Sequence, residues 1–238
     1  LKIAKQGFNI KINDFNENEK TMLLMLHYDV WQSAGGFDSL EESIIQIGKN
    51  KILVNEIIEV LEILIDRIDF KENEIQLPYN QPLKVHSRYT RDQILTAFKL
   101  STFDQKSSSR EGVAENISLN TELLFINLIK SEEDFSPTTM YDDYAISETL
   151  FHWQSQNSSR PEIGRGLSYI KHIENKKKIL LFVREKATDQ FGNTIGYVFI
   201  GEAFFKENEG SKPMNIKWEL NEPMPNYLWN ASAKMSIG

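Results

Sequence analysis

The 238-residue sequence contains no cysteine. That excludes disulfides and thiolate metal sites, and it fits a reducing compartment, so a cytoplasmic location is expected. Histidine is scarce: His27, His86, His152 and His172 are too few and too scattered for a His-rich metal centre. No apolar run approaches the roughly 20 residues that span a bilayer, so no membrane partner is expected. The patterns G-x-x-x-x-G-K-[ST], G-x-S-x-G and H-E-x-x-H are all missing, and nothing assembles a nucleophile, a base and an orienting group by spacing. No catalytic residue is therefore assigned. There is no initiator Met either; an opening of Leu1-Lys2-Ile3 is expected of a fragment cut from a longer protein. Positive charge is in deficit, with 27 Lys and Arg against 34 Asp and Glu, a net charge of −7. This argues against a non-specific grip on nucleic acid but leaves room for a local basic patch.

What is present is an ordinary globular composition, 40% hydrophobic and 26% charged. Residues 16–104 read as mostly helical. Asn16 with Glu19, and Ser39 with Glu42, have capping-box spacing. From Leu40 to Ile68 apolar residues recur with a 3.6-residue period, which predicts two helices broken near Gly48-Lys49-Asn50. Thr90 with Gln93 starts another short helix, whereas "QLPYNQP" (76–82) cannot be helical. The Ser-rich "STFDQKSSSREG" (101–112) reads as a boundary. Beyond it, runs at 120–130, 178–186, 196–205 and 214–220 read as strands, with the second and third joined as a hairpin through "DQFGNTIGY". A short helix is predicted behind Pro225. The expectation is an α+β protein: a helical connector over 1–105, then a β-rich domain over 106–238 forming a curved sheet or partly open barrel.

The tract "TTMYDDYAISETLFHWQSQN" (138–157) places aromatic rings beside carboxylates and amides. A core segment favours the rings alone, and an exposed loop favours the amides alone. A pocket for a flat polar molecule uses both. Tyr141, Tyr144, Phe151 and Trp153 offer faces on which a base can stack. Asp142, Asp143, Ser155, Gln156 and Asn157 offer groups that can read a base edge, and His152, beside Trp153, fits a hydrogen-bonded core or pocket histidine better than a general base or metal ligand. As a strand, the segment would set Phe151, Trp153 and Ser155 on one face and His152, Gln154 and Gln156 on the other. Phe151 and at least one tyrosine are expected in the core. The island 160–178 carries Arg160, Arg165, Lys171, Lys176, Lys177 and Lys178 against Glu162 and Glu174. Such a cluster suits a DNA backbone, and equally a solvated loop. Glu174-Asn175-Lys176 has the E-x-K form of some nucleases but reads as a charged turn.

At "SEEDFSPTTMYDDYAISETLFHWQSQN", "ILLFVREK", "GSKPMNIKWELNEPMP" and "LWNASA" the chain resembles a known family. It is the C-terminal domain of bacterial multidomain proteins that carry a phospholipase-D-type nuclease and a DEAD-like helicase motor. Its best-understood setting is the SauUSI-type, ATP-dependent, modification-dependent (type IV) restriction endonuclease. The resemblance implies an SRA-like (PUA-like) reader that selects DNA containing 5-methylcytosine or 5-hydroxymethylcytosine, without catalysis, metal or cofactor of its own. ATP and Mg²⁺ would serve the parent enzyme. The implied partners are modified double-stranded DNA, the helicase and nuclease domains of the same chain, and possible homodimerisation through that parent. The resemblance extends to Tyr141, Asp143, Tyr144, His152, Trp153, Ser155, Gln156 and Asn157. After Asn157 the chain departs from its relatives with "SSRPEIGRG". Two alternatives stand beside this reading: a structural, dimerisation or motor-coupling domain, and a minimal nuclease.

Overall fold

The computed structural model describes residues 1–33, 35–67, 73–128 and 143–233, with side chains to 230. The chain divides into two compact units. One comprises residues 1–72, 76–83 and 91–108; the other comprises 73–75, 84–90 and 109–238.

The first unit is helical. It contains α1 (Lys2–Lys5), a 3-10 turn (Ile12–Asp14), α2 (Glu17–Trp31), α3 (Leu40–Gly48), α4 (Lys51–Asp66) and α5 (Arg91–Ala97). The starts follow from the capping residues. Glu19 N donates to Asn16 Oδ1 (3.0 Å) while Asn16 N donates to Glu19 Oε2 (2.8 Å), a complete capping box. Ser39 Oγ accepts from Glu42 N, and Asn50 Oδ1 accepts from Leu53 N. The predicted break at 48–50 is therefore real: α3 ends at Gly48 with Lys49 as its C-cap, and Asn50 caps the next helix. Phe8, Leu23, Ile44, Ile47 and Val54 form the core of this unit.

The second unit is a curved, unclosed sheet of eight strands with two helices. Its strands are β1 (Arg88–Tyr89), β2 (Val113–Asn116), β3 (Thr121–Asn127), β4 (Tyr144–Ser147), β5 (Leu150–Gln154), β6 (Lys178–Arg184), β7 (Tyr197–Glu209) and β8 (Asn215–Leu220); the helices are α6 (Gly164–Ile170) and α7 (Asn226–Ala233). The order is β2-β3-β6-β7-β8-β5-β4, with β1 beside β7. The α+β expectation holds, as does the hairpin of β6 and β7. Strands β3 and β6 run parallel, so their connection must cross over, and it carries β4, β5 and α6.

Strand β7 serves both halves of the sheet. Its first part pairs with β6 and β1, and the part from Ala203 onward pairs with β8. The switch follows Glu202, just beyond Gly201, where φ is +105°, a conformation strained for any residue with a Cβ. The register against β6 slips at the same level, as a bulge requires, and a bulge bends the strand. The core includes Leu124, Ile179, Leu181, Phe151, Ile216 and Trp218, closed by Leu228 of α7. The described helices include none long and apolar enough to cross a membrane.

Candidate nucleic-acid interface

Strand β5 sorts the aromatic–amide tract by period-2 alternation. Phe151, Trp153 and Ser155 are buried, while His152 and Gln154 are half-buried on the opposite face; Gln156, expected with them, lies beyond the strand end and turns inward. Trp153 is only 5% exposed. Its ring meets Tyr169 edge-on at 5.4 Å and lies 6.3 Å from Trp218. The structure thus places this ring in the core, alongside Phe151. Ser155 is also internal. Its amide donates to Met214 O, and its Oγ accepts from Met214 N, both at 2.9 Å, pinning the start of β8.

The open face of the β4–β5–β8–β7 half-sheet carries the other set. Tyr144 stands opposite His152, His152 opposite Lys217, and Lys217 opposite Glu207. The Tyr144 and His152 rings stack at 4.7 Å with a 16° interplanar angle. Two residue pairs along, on the same face, Gln154 Nε2 donates to Asn215 Oδ1 (3.0 Å). Lys217 Nζ donates to Glu207 Oε1 (2.6 Å), which raises the lysine pKa and lowers that of the glutamate. A groove of about 230 Å³ opens here, lined by His152, Glu207, Asn208, Glu209, Asn215 and Lys217. Asp143 is buried and does not line the groove; its Oδ1 accepts from Gln154 N (2.9 Å), which orients the carboxylate. Asn157 is exposed beyond the strand end. Tyr141 and Asp142 lie outside the described residues.

The contribution of the β7–β8 hairpin was not anticipated from the sequence. "MNIKWEL" alternates, with Met214, Ile216 and Trp218 buried, so Asn215 and Lys217 had to face outward. That period was the available signal. At the hairpin turn, Lys212 N donates to Ser159 O (3.0 Å), bringing an exposed lysine beside the loop that bears Arg160.

The basic island is not uniformly a surface. Lys177 is 6% exposed, with Nζ 2.7 Å from both Glu115 Oε1 and Glu122 Oε2. Glu122 itself is fully buried. Its contact with Lys177 lacks the alignment of a hydrogen bond and is an ion pair. Arg165 Nε lies 3.3 Å from Glu122 Oε1. The Tyr169 hydroxyl reaches Glu122 Oε1 (2.9 Å) and Gln156 Oε1 (3.2 Å); burial, then the neighbouring Glu122 charge, push its pKa well up. Gln156 Oε1 also accepts from Ser159 Oγ (3.1 Å), so the amide is turned toward the interior. Lys178 pairs with Glu202, and Lys171 with Glu174. Arg160 and Lys176 remain exposed. Glu174-Asn175-Lys176 lies in a turn rather than a strand, with Lys176 at φ +55°. Gly166 packs so closely under the Arg160 carbonyl that a Cβ would collide with it. Among the described residues no three His, Asp or Glu side chains converge to hold a metal ion.

Residues 83–231 match the family described as a domain of unknown function, DUF3427. The chain belongs to the DUF3427 family. The matched span contains every strand of the sheet and the whole groove. No curated protein matches this DUF3427 chain in sequence. Among solved structures it is similar to Arabidopsis thaliana SUVH6 in complex with SAM (12% identity, TM-score 0.41, covering 99% of this chain and 43% of that one). It is also similar to the DNA recognition domain of the cytosine modification-dependent restriction endonuclease LpnPI (13% identity, TM-score 0.34, covering 66% and 78%). A third is the 5-hydroxymethylcytosine-specific restriction enzyme AbaSI (17% identity, TM-score 0.32, covering 82% and 59%). The DUF3427 chain spans less than half the length of the SUVH6 chains it matches.

Proposed function

We propose that the β-rich unit of this DUF3427 chain is an SRA-like reader of modified cytosine, selecting 5-methylcytosine or 5-hydroxymethylcytosine in DNA by base flipping. In this reading it is the target-recognition part of an ATP-dependent, modification-dependent restriction enzyme. The helical unit couples recognition to the helicase and nuclease domains of that parent.

The observation that carries the proposal is the Tyr144–His152 ring stack on the open sheet face, at the edge of a groove lined by amides and charges. A two-ring stack accepts a third flat ring. Base–aromatic stacking contributes about 1–3 kcal/mol per base whatever the base. Gln154 and Asn215 stand beside it as groups able to read a polar edge, and Asp143, buried behind Gln154, would supply a carboxylate on turning outward. A carboxylate is an acceptor suited to the cytosine N4 amino group and is repelled by thymine O4. At about 230 Å³ the groove falls below the roughly 300–1,000 Å³ typical of drug-sized ligands, a scale suited to one base. Trp153 and Lys177 support the fold behind this face. Arg160, Lys176 and Lys212 would meet the phosphates.

The test is binding of the chain to duplexes that differ only in cytosine modification. Tighter binding of the modified duplex is expected, with Tyr144→Ala and His152→Ala each weakening it by about 1–3 kcal/mol. Equal affinity for modified and unmodified DNA would refute the reading. No DNA binding at low salt would assign a structural role, and cleavage with Mg²⁺ alone would assign a nuclease.

A further inference from the structure

Helix α4 exposes an apolar stripe that the reader does not use. Its inner side packs Val54, Ile57, Ile58 and Leu61 on the helical core. The outer side leaves Ile52 76% exposed, Leu53 39%, and Val60, Ile63 and Leu64 each 52%. Spacings of 7 and 11 residues from Leu53 to Val60 and Leu64, and of 11 from Ile52 to Ile63, keep these side chains on one flank of the helix. Scattered apolar residues need no explanation, but a contiguous stripe along a whole helix marks an interaction surface.

The charges beside the stripe limit what can cover it. Glu56 and Glu59 lie within the outer face, and at its end exposed Asp66 is followed by exposed Arg67, so the net negative charge of the face rests on the two glutamates. Glu62 is already paired with Lys5. A second copy of the same helix, packed antiparallel about Glu59, would bring Glu59 against its own twin and Glu56 against Glu62. Packed parallel, it would stack Glu56 on Glu56 and Glu59 on Glu59. Either arrangement crowds like charges. A helix whose apolar stripe is flanked by lysine or arginine satisfies both requirements. The 16 residues of α4 are about 24 Å long, room for roughly four turns of such a partner.

We propose that the outer face of α4 docks a basic amphipathic helix from another polypeptide segment. The stripe takes the apolar face of that helix, and Glu56 and Glu59 pair with its cations, the helix-in-groove mode of recognition. This inference concerns the helical unit alone and does not depend on the DNA reading.

The experiment uses the full 238-residue chain and two synthetic amphipathic helices with the same leucine pattern, one with lysine flanks and one with glutamate flanks. The lysine peptide is expected to bind at least about tenfold more tightly by fluorescence anisotropy. Val60→Ser with Ile63→Ser should reduce that binding about tenfold while circular dichroism stays that of the parent chain. Glu56→Lys with Glu59→Lys should reverse the preference between the peptides. Three results would overturn the proposal: neither peptide binds; lysine-peptide binding survives the serine changes, which locates it elsewhere on the acidic surface; or the chain dimerises and the serine changes abolish the dimer, which makes the occupant a second copy.

Discussion

Replacing Lys177 by methionine separates two roles for this residue. In sequence it sits in the basic island and suits a phosphate contact. In the fold its ammonium lies 6% exposed against Glu122, a carboxylate with no exposed surface. Methionine keeps most of the length and removes the charge. Glu122 would then retain only Arg165 at 3.3 Å and the Tyr169 hydroxyl at 2.9 Å. Breaking a buried pair by removing one partner costs about 3–5 kcal/mol, because the other charge stays desolvated. Against a total stability of about 5–15 kcal/mol this is a large fraction. With a urea slope near about 2 kcal/mol/M, the midpoint should fall by about 1.5–2.5 M. Tryptophan fluorescence is a suitable probe, since Trp153, Trp218 and Trp229 all lie in the β-rich unit. Adding Glu122→Gln should recover most of the loss, because it removes the stranded charge and keeps an acceptor for Tyr169. A Lys177→Met variant that unfolds within about 0.5 kcal/mol of the parent chain, the range of an ordinary surface change, would refute the buried-pair role. Weakened DNA binding in such a stable variant would return Lys177 to the phosphate contacts.

Trp153→Ala should destabilise the β-rich unit by about 3–5 kcal/mol, the cost of emptying a large core site; a variant of unchanged stability that loses modified-DNA affinity would instead put the ring in the base pocket. His172 is held neutral: its Nε2 accepts from Phe205 N (2.9 Å), its Nδ1 donates to Lys177 O (3.1 Å), and burial lowers its pKa. Burial also lowers the pKa values of His27 and His86. The unfolded chain takes up these protons near about pH 6.5 and the folded chain does not, so stability is full above about pH 6.5 and falls as pH drops below it. Equal urea midpoints at about pH 7.5 and about pH 6.0 would contradict this. Changing Arg160, Lys176 and Lys212 to glutamine should weaken modified and unmodified DNA alike and flatten the salt dependence by about 0.9 in log–log slope for each phosphate that is no longer neutralised. Disappearance of the preference for modification alone would count against a phosphate role.

Local pattern was enough for several features. Asn16, Ser39 and Asn50 announce helix starts because a side-chain acceptor beside free amides is a short-range event. The β6–β7 hairpin is likewise legible, since a tight turn between two apolar runs leaves few alternatives. Alternation over 151–154 correctly divides the strand into two faces, because a strand has period 2 wherever it lies, but it fails at Gln156, beyond the strand end, whose amide turns inward to Tyr169. Which face is buried is not a property of the strand. That was decided when β5 paired with β8 and Trp153 came to rest against Tyr169 and Trp218. The parallel pairing of β3 with β6 joins segments more than about fifty residues apart, beyond the reach of any spacing rule. Formal charge misleads for the same reason. Lys177 reads as part of a basic surface until Glu115 and Glu122, distant in sequence, arrive to neutralise it. The Tyr144–His152 stack and the groove beside it also exist only once β4, β5, β8 and the end of β7 lie side by side, so the residue types are in the sequence but their juxtaposition belongs to the sheet.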